Sequence, residues 1–160
     1  MTDVAAVLAA AQRPELPVEV YLGPPDLPHE RLRLDRLKKR TEEQQAELDD
    51  LIQQVRASTL TTRVRAIPHR KWAEIVVQHP PRDDVPEDKK AGVNTLSFWR
   101  AVVPLCLPDL TSEQYERLDE VISEGDWRKV CGVVETVNMG QTIIPKSPAA
   151  SPTSPNSDGT

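Results

Sequence analysis

The side chains best equipped for chemistry in this chain are His29, His69 and His79 together with Cys106 and Cys131. A zinc site needs such ligands at knuckle or helical spacing, and none of the patterns CxxC, HxxxH or HExxH occurs. A cysteine nucleophile needs a thiolate beside a histidine. Both cysteines fall instead on the apolar stripes of their helices, where a thiol is an inert, small core hydrophobe and no disulfide is expected. The six glycines are scattered singly and build no loop that cradles phosphate. The expectation is therefore no catalytic residue, no metal and no cofactor. A basic cluster of Arg63, Arg65, His69, Arg70 and Lys71 beside Trp72 has residue types that contact nucleic acid. The formal net charge of −5 and a pI near 5.3 oppose that use, because phosphate binding requires a basic face that replaces counterions. The cluster reads as a solvated strand edge and helix start, and no nucleic-acid partner is expected.

The elements that must position these residues are concentrated in residues 68–140, which hold all three Trp, the only Phe, both Cys and one of two Tyr. We expect a helical core domain over residues 68–145, a bundle of about four short helices. Pro68 opens the first, where Trp72, Ile75, Val76 and His79 recur at helical spacing before Pro80-Pro81. Residues 82–92 are polar and are expected to form a mobile loop. A helix from Asn94-Thr95 presents Leu96, Trp99, Val102, Val103 and Cys106, with Pro104 kinking it or marking its last turn. Thr111 and Gln114 form a capping-box pattern ahead of Tyr115, Leu118, Val121 and Ile122, and Gly125 is the expected stop. Asp126 is the expected cap of a last helix bearing Trp127, Val130, Cys131, Val134 and Val137, ended by Asn138 and Gly140. Trp72, Trp99, Tyr115 and Trp127 are the anchors, the three tryptophans sharing one core.

Upstream, residues 1–16 read as a flexible N-terminus, because Pro14 and Pro17 stop any helix begun at residue 3. Residues 17–67 read as strand, long helix, strand. Val18, Val20 and Leu22 alternate with polar positions, as do Leu60, Thr62, Val64 and Ala66, and the two strands should pair as a ribbon on the helical core. From residue 28 to 56 there is no further Gly or Pro and good helix formers dominate. Leu34, Leu37, Thr41, Gln44, Leu48, Leu51 and Val55 follow steps of three and four, a coiled-coil seam. One unbroken helix, about 43 Å long, is preferred over a fold-back at Arg40-Thr41, since nothing at the bend breaks a helix. Its charge order, bases from Arg31 to Arg40 and acids from Glu42 to Asp50, opposes the helix dipole. That order points to antiparallel self-association through the seam residues Leu34, Leu37, Leu48, Leu51 and Val55.

The fold class is thus mainly α, with a small two-stranded β element, a long charged helix and a disordered Ser/Pro-rich tail over residues 146–160. Ile143-Ile144-Pro145 either docks on the core or is offered to a partner. No apolar run approaches the roughly 20 residues that cross a bilayer. The N-terminus carries Asp3 where a signal peptide is basic, so a protein retained in the cell that makes it, without a membrane partner, is expected.

The order Val64-Arg-Ala-Ile-Pro-His-Arg-Lys-Trp72, His79-Pro-Pro-Arg82, Gly92-Val-Asn94, Leu110-Thr-Ser-Glu-Gln-Tyr115, Gly125-Asp-Trp127 and Val137-Asn138 resembles the tail assembly chaperones of long-tailed, siphovirus-type phages and prophages. It covers residues 60–145 or so, through packing and capping motifs. The resemblance implies a non-enzymatic helper in the host cell cytoplasm that coats the tape measure protein until tail tube subunits displace it, and that is absent from the mature virion. It also implies that a longer isoform is often made by ribosomal frameshifting. A coiled-coil structural or adaptor protein of a phage-like particle is the alternative reading.

Overall fold

The computed structural model describes residues 3–140. The Ile143-Ile144-Pro145 element and the 146–160 tail lie outside the described residues. The chain runs α1 (Val4–Ala10), β1 (Glu15–Tyr21), α2 (Asp26–Asp35), α3 (Glu42–Ala57), β2 (Thr59–Arg65), α4 (His69–Gln78), α5 (Pro86–Ala91), α6 (Thr95–Val102), a 3-10 turn (Val103–Cys106), α7 (Ser112–Val121) and α8 (Glu124–Met139). The fold is mainly helical with one small antiparallel sheet, as expected.

The strands pair in the register Glu15↔Arg65 to Tyr21↔Thr59. Alternation sends Val18, Val20 and Val64 inward, where they join Phe98, Val102, Val103, Cys106, Leu107, Val130 and Val134 in a single apolar cluster. The sheet and the C-terminal helices therefore share one core that crosses the expected boundary at residue 67. α8 runs along the ribbon, antiparallel to β1, and is tied to it near both ends. Lys129 donates to the Glu19 carbonyl, and the Asn138 side chain accepts from the Ile67 amide at 3.0 Å. Asn138 lies inside α8 and also donates to the Val134 carbonyl at 2.8 Å. It is a clamp between helix and sheet one residue before the helix ends, and Gly140 is the C-cap as expected.

The long helix expected over residues 28–56 is a helical hairpin, and this corrects the preferred reading. Arg40 supplies what Gly or Pro would otherwise supply. Its Nη1 donates to the carbonyls of Leu34, Asp35 and Leu37 at 3.2, 3.1 and 3.3 Å, satisfying the open end of α2, while its Nε reaches Gln45 of α3 at 3.0 Å. Thr41 and Gln44 then form a reciprocal capping box that starts α3. With two helices the charge order no longer opposes the dipole. Arg33 sits in the last turn of α2, and Glu42 and Glu43 sit in the first turn of α3. The seam is consumed within the chain, where Leu34, Leu48 and Leu51 are buried against one another, with Leu27, Leu37 and Ile52 around them. Val55 is half-buried and is not part of that cluster.

Three further expectations change. Residues 4–10 form α1, whose first amides are accepted by Asp3, and β1 begins at Glu15, both within the stretch read as flexible. Residues 82–92 are built around α5 and a buried aspartate, described below, instead of a mobile loop. α8 starts at Ser123, whose hydroxyl accepts from the Asp126 amide at 3.1 Å, so Gly125 lies in its first turn and does not stop α7. The capping box at Thr111 and Gln114 and the break at Pro104 stand as read.

Candidate functional site

α6, the end of α7 and α8 enclose an open groove of about 790 Å³. Trp99, Ile122, Trp127 and Cys131 supply its apolar surface, and Leu96, 57% exposed, stands at its lip. Trp99 and Trp127 are half-buried, packed on the core and lining the groove as well. At Gly132 a β-carbon would meet nothing within 4 Å, so this position leaves the α8 wall open. Around the apolar strip stand Arg82, Arg100 and Arg128 with Glu87, Asp119, Glu124 and Glu135, a rim of mixed sign.

Local chemistry holds these walls. Asn94 starts α6 by accepting from the Ser97 amide at 3.2 Å, and its own amide donates to the His79 carbonyl at 2.8 Å. His79 Nδ1 lies 2.8 Å from the Ser97 hydroxyl, so α4 and α6 are joined by polar as well as apolar contacts. Trp72 and Trp99 both meet Phe98 edge-on, with ring centroids 5.2 and 5.1 Å away, a favourable arrangement of ring quadrupoles.

The α5 side of the groove depends on Asp88, which is fully buried. Its carboxylate accepts from the Arg82 amide and guanidinium, and from the Thr95 amide and hydroxyl. The Arg82 guanidinium holds the Asp88 carboxyl well below the usual carboxylate range; burial opposes this and the two Thr95 donors assist it. Arg82 is thereby fixed with its side chain on the groove.

The anchors read from sequence, Trp72, Trp99, Tyr115 and Trp127, all pack against the core but at its margin. Its centre is Phe98, Val102, Val103 and Cys106. Trp99 and Trp127 are brought together at the groove, while Trp72 lies on the far side of Phe98. Burial, and then Asp119, push the Tyr115 hydroxyl up to about 12. The proposed self-association seam is not a surface, because Leu34, Leu48 and Leu51 face each other inside the hairpin. The arginines and the lysine of the basic cluster each have a carboxylate neighbour. Arg63 donates to Asp109 at 2.6 and 2.9 Å and to Glu15, Arg65 is bound by Glu15, and Arg70 and Lys71 flank Glu74.

Both thiols are buried; burial, with Glu124 second, pushes Cys131 up to about 12, and burial raises Cys106 against the partial offset of Asn138. Among the described residues no group of three or more His, Cys, Asp or Glu is arranged to hold a metal ion, and no helix is long and apolar enough to cross a membrane. Asp88 escaped the sequence reading, and Asn138 was read as a helix end without its contact to Ile67. The signal available for Asp88 was its place six residues after Arg82 and seven before Thr95, inside a stretch whose polarity looked like that of a loop. Compared with family models, curated proteins and solved structures, the chain finds no match.

Proposed function

We propose that the protein is a non-enzymatic tail assembly chaperone that binds the tape measure protein and keeps it soluble and assembly-competent while a siphovirus-type phage or prophage tail forms. The observation that carries this reading is the open groove between α6 and α8. A long helical client exposes apolar stripes until the tail tube covers them, and an amphipathic helix laid into an apolar groove is a recurrent mode of peptide recognition. Trp99, Trp127, Ile122 and Leu96 offer the client's stripe a surface, and the mixed rim offers partners to its flanking charges. A groove of this size gives a weak contact. Several copies along one client would add such contacts through effective concentration, and tail tube subunits would then displace them together.

The motif order over residues 60–145 supports the same reading. The helper would act in the host cell cytoplasm and leave before the virion is complete. The coiled-coil adaptor reading loses its basis, because the seam is used up within the hairpin.

Co-expression with the tape measure protein tests the proposal. The wild-type chain should bring the client into the soluble fraction, and Leu96→Asp or Trp127→Ala should lose most of that effect while staying folded. A client that stays insoluble with wild type, or stays equally soluble with both variants, would overturn the reading.

A further inference from the structure

We infer that α1 of one copy of this chain docks in the groove of a second copy. Both surfaces belong to this chain, so the contact stands apart from the chaperone reading and needs no client. α1 is a helix with little of its own to rest on. Every one of its residues is Val, Ala or Leu, and every one is exposed. Val4, Val7 and Leu8 fall at i, i+3 and i+4 and form one apolar stripe, 66, 55 and 69% exposed. The Asp3 carboxylate caps the helix by accepting from the Ala5 and Ala6 amides at 3.0 and 3.3 Å. A helix this short is marginal in water, and helices in proteins take most of their stability from a surface packed on the apolar face. Residues 11–13 are exposed as well and separate α1 from the ribbon, which begins where the Pro14 carbonyl accepts from the Ala66 amide at 2.9 Å. A partner can therefore approach α1 from solvent.

The groove has the complementary features. Its apolar strip of Trp99, Ile122 and Trp127, with Leu96 at the lip, takes no lining residue from α1. The lengths agree, since α1 is about 10 Å long and the α8 wall from Trp127 to Glu135 about 12 Å at about 1.5 Å per residue. Midway along that wall Gly132 has no β-carbon, and nothing stands within 4 Å of where one would be, so a second helix can come close to α8 there. α1 brings no charge that would have to be buried. The charges that flank it, Asp3 and Arg13, would meet a rim that holds both signs, Arg82 and Arg100 as well as Glu87 and Glu135. Helix and groove are different surfaces, so the contact is heterologous, and two copies close it by exchanging their α1 helices. One short helix covers far less than the roughly 1,200 Å² of a stable interface, which places the association at about 0.1–1 mM.

Sedimentation and light scattering of the full chain test this. The mass of wild type should climb above that of the monomer as concentration rises to about 1 mM, and tryptophan emission should move to the blue in step as Trp99 and Trp127 are covered. Val7→Asp with Leu8→Asp removes the helix face, and Leu96→Asp spoils the groove lip. Each variant alone should stay monomeric, with the far-UV circular dichroism of a folded core. Mixed in equal amounts the two should associate again, because the first keeps a groove and the second keeps an intact α1. A wild type that stays monomeric over this range would overturn the inference, as would a mixture that stays monomeric or a variant that associates as wild type does. It is also overturned if the α1 variant has red-shifted emission at every concentration, which would place α1 in the groove of its own chain.

Discussion

Arg82 Nε and Nη2 grip the two carboxylate oxygens of Asp88 at 2.6 and 3.0 Å, across a six-residue gap that looks like loop in the sequence. This fork is what turns residues 82–92 into a fixed wall of the groove. Removing one member of a buried pair strands the other, so Asp88→Asn should lower Tm by about 10 °C or more at pH 7. The depressed folded pKa sets the pH course. The contribution is complete above the unfolded carboxyl's value of about 4, and is lost as pH falls through the folded value below it. The gap between variant and wild type in thermal melts should hold steady from pH 7 to 5 and narrow toward pH 2; a gap that widens in acid would contradict this.

The tryptophans should not behave alike. Trp72 packs on Phe98 away from the groove, so Trp72→Ala should cost about 3 kcal/mol. Trp127 lines the groove, so Trp127→Ala should cost less, about 1–2 kcal/mol, but should weaken client capture more. Urea denaturation beside a client pull-down separates the two, and equal losses in both assays for both variants would show that the groove has no special role.

Asn138→Ala should leave the Ile67 amide without its acceptor, at a cost of about 1–3 kcal/mol. Asn138→Asp keeps an acceptor oxygen and should recover part of it. Hydrogen exchange at Ile67 reports the contact directly and should speed up in the alanine variant alone.

The arm formed by α2 and α3 is an insertion in a β-hairpin. Tyr21 pairs with Thr59, and the Leu22 amide donates to the Ser58 carbonyl at 2.8 Å. Replacing residues 23–57 with Asn-Gly should therefore preserve the core, since a two-residue turn then joins Leu22 to Ser58 directly. The melting midpoint of the core should move by no more than about 5 °C, and Leu48→Asp should melt the arm while leaving that midpoint in place. Collapse of the armless chain would mean that the arm is part of the core.

Both thiols should resist alkylation in the native state at pH 8, because burial holds Cys131 up to about 12 and raises Cys106. Labelling should follow global unfolding in a denaturant series. Rapid labelling without denaturant would show that one helix of the core opens.

Alternation and helical spacing made most of the fold legible. Val18, Val20 and Val64 announced the ribbon, the box at Thr111/Gln114 announced a helix start, and the aromatic residues marked the core. The arm was misjudged because the search was for a breaker. The turn is made by Arg40, whose side chain satisfies carbonyls three to six residues back, a tertiary act with no compositional trace. The groove was legible only in part. Trp99 and Trp127 could be placed on apolar stripes, but stripes do not say which side chains stay half-open, and that depends on how α6 and α8 diverge. Asp88 was hidden for a different reason, since a buried acid and a solvated one look the same until their partners are known.

The insertion of the arm also bears on the order in which the chain folds. Tyr21 and Thr59 are paired across the whole arm, and closing a loop of that length as free chain carries an entropic penalty that grows with the logarithm of its length. The arm removes most of it. α2 and α3 are neighbours in sequence, their contact around Leu34, Leu48 and Leu51 is local, and helices form faster than distant strands meet. Once the arm has closed, its two ends stand side by side, and only a few residues at its base remain to be ordered before the first rung of the sheet can form. A long-range pairing on paper thus becomes a short one in time, with the arm acting as a template for the strands that emerge from it.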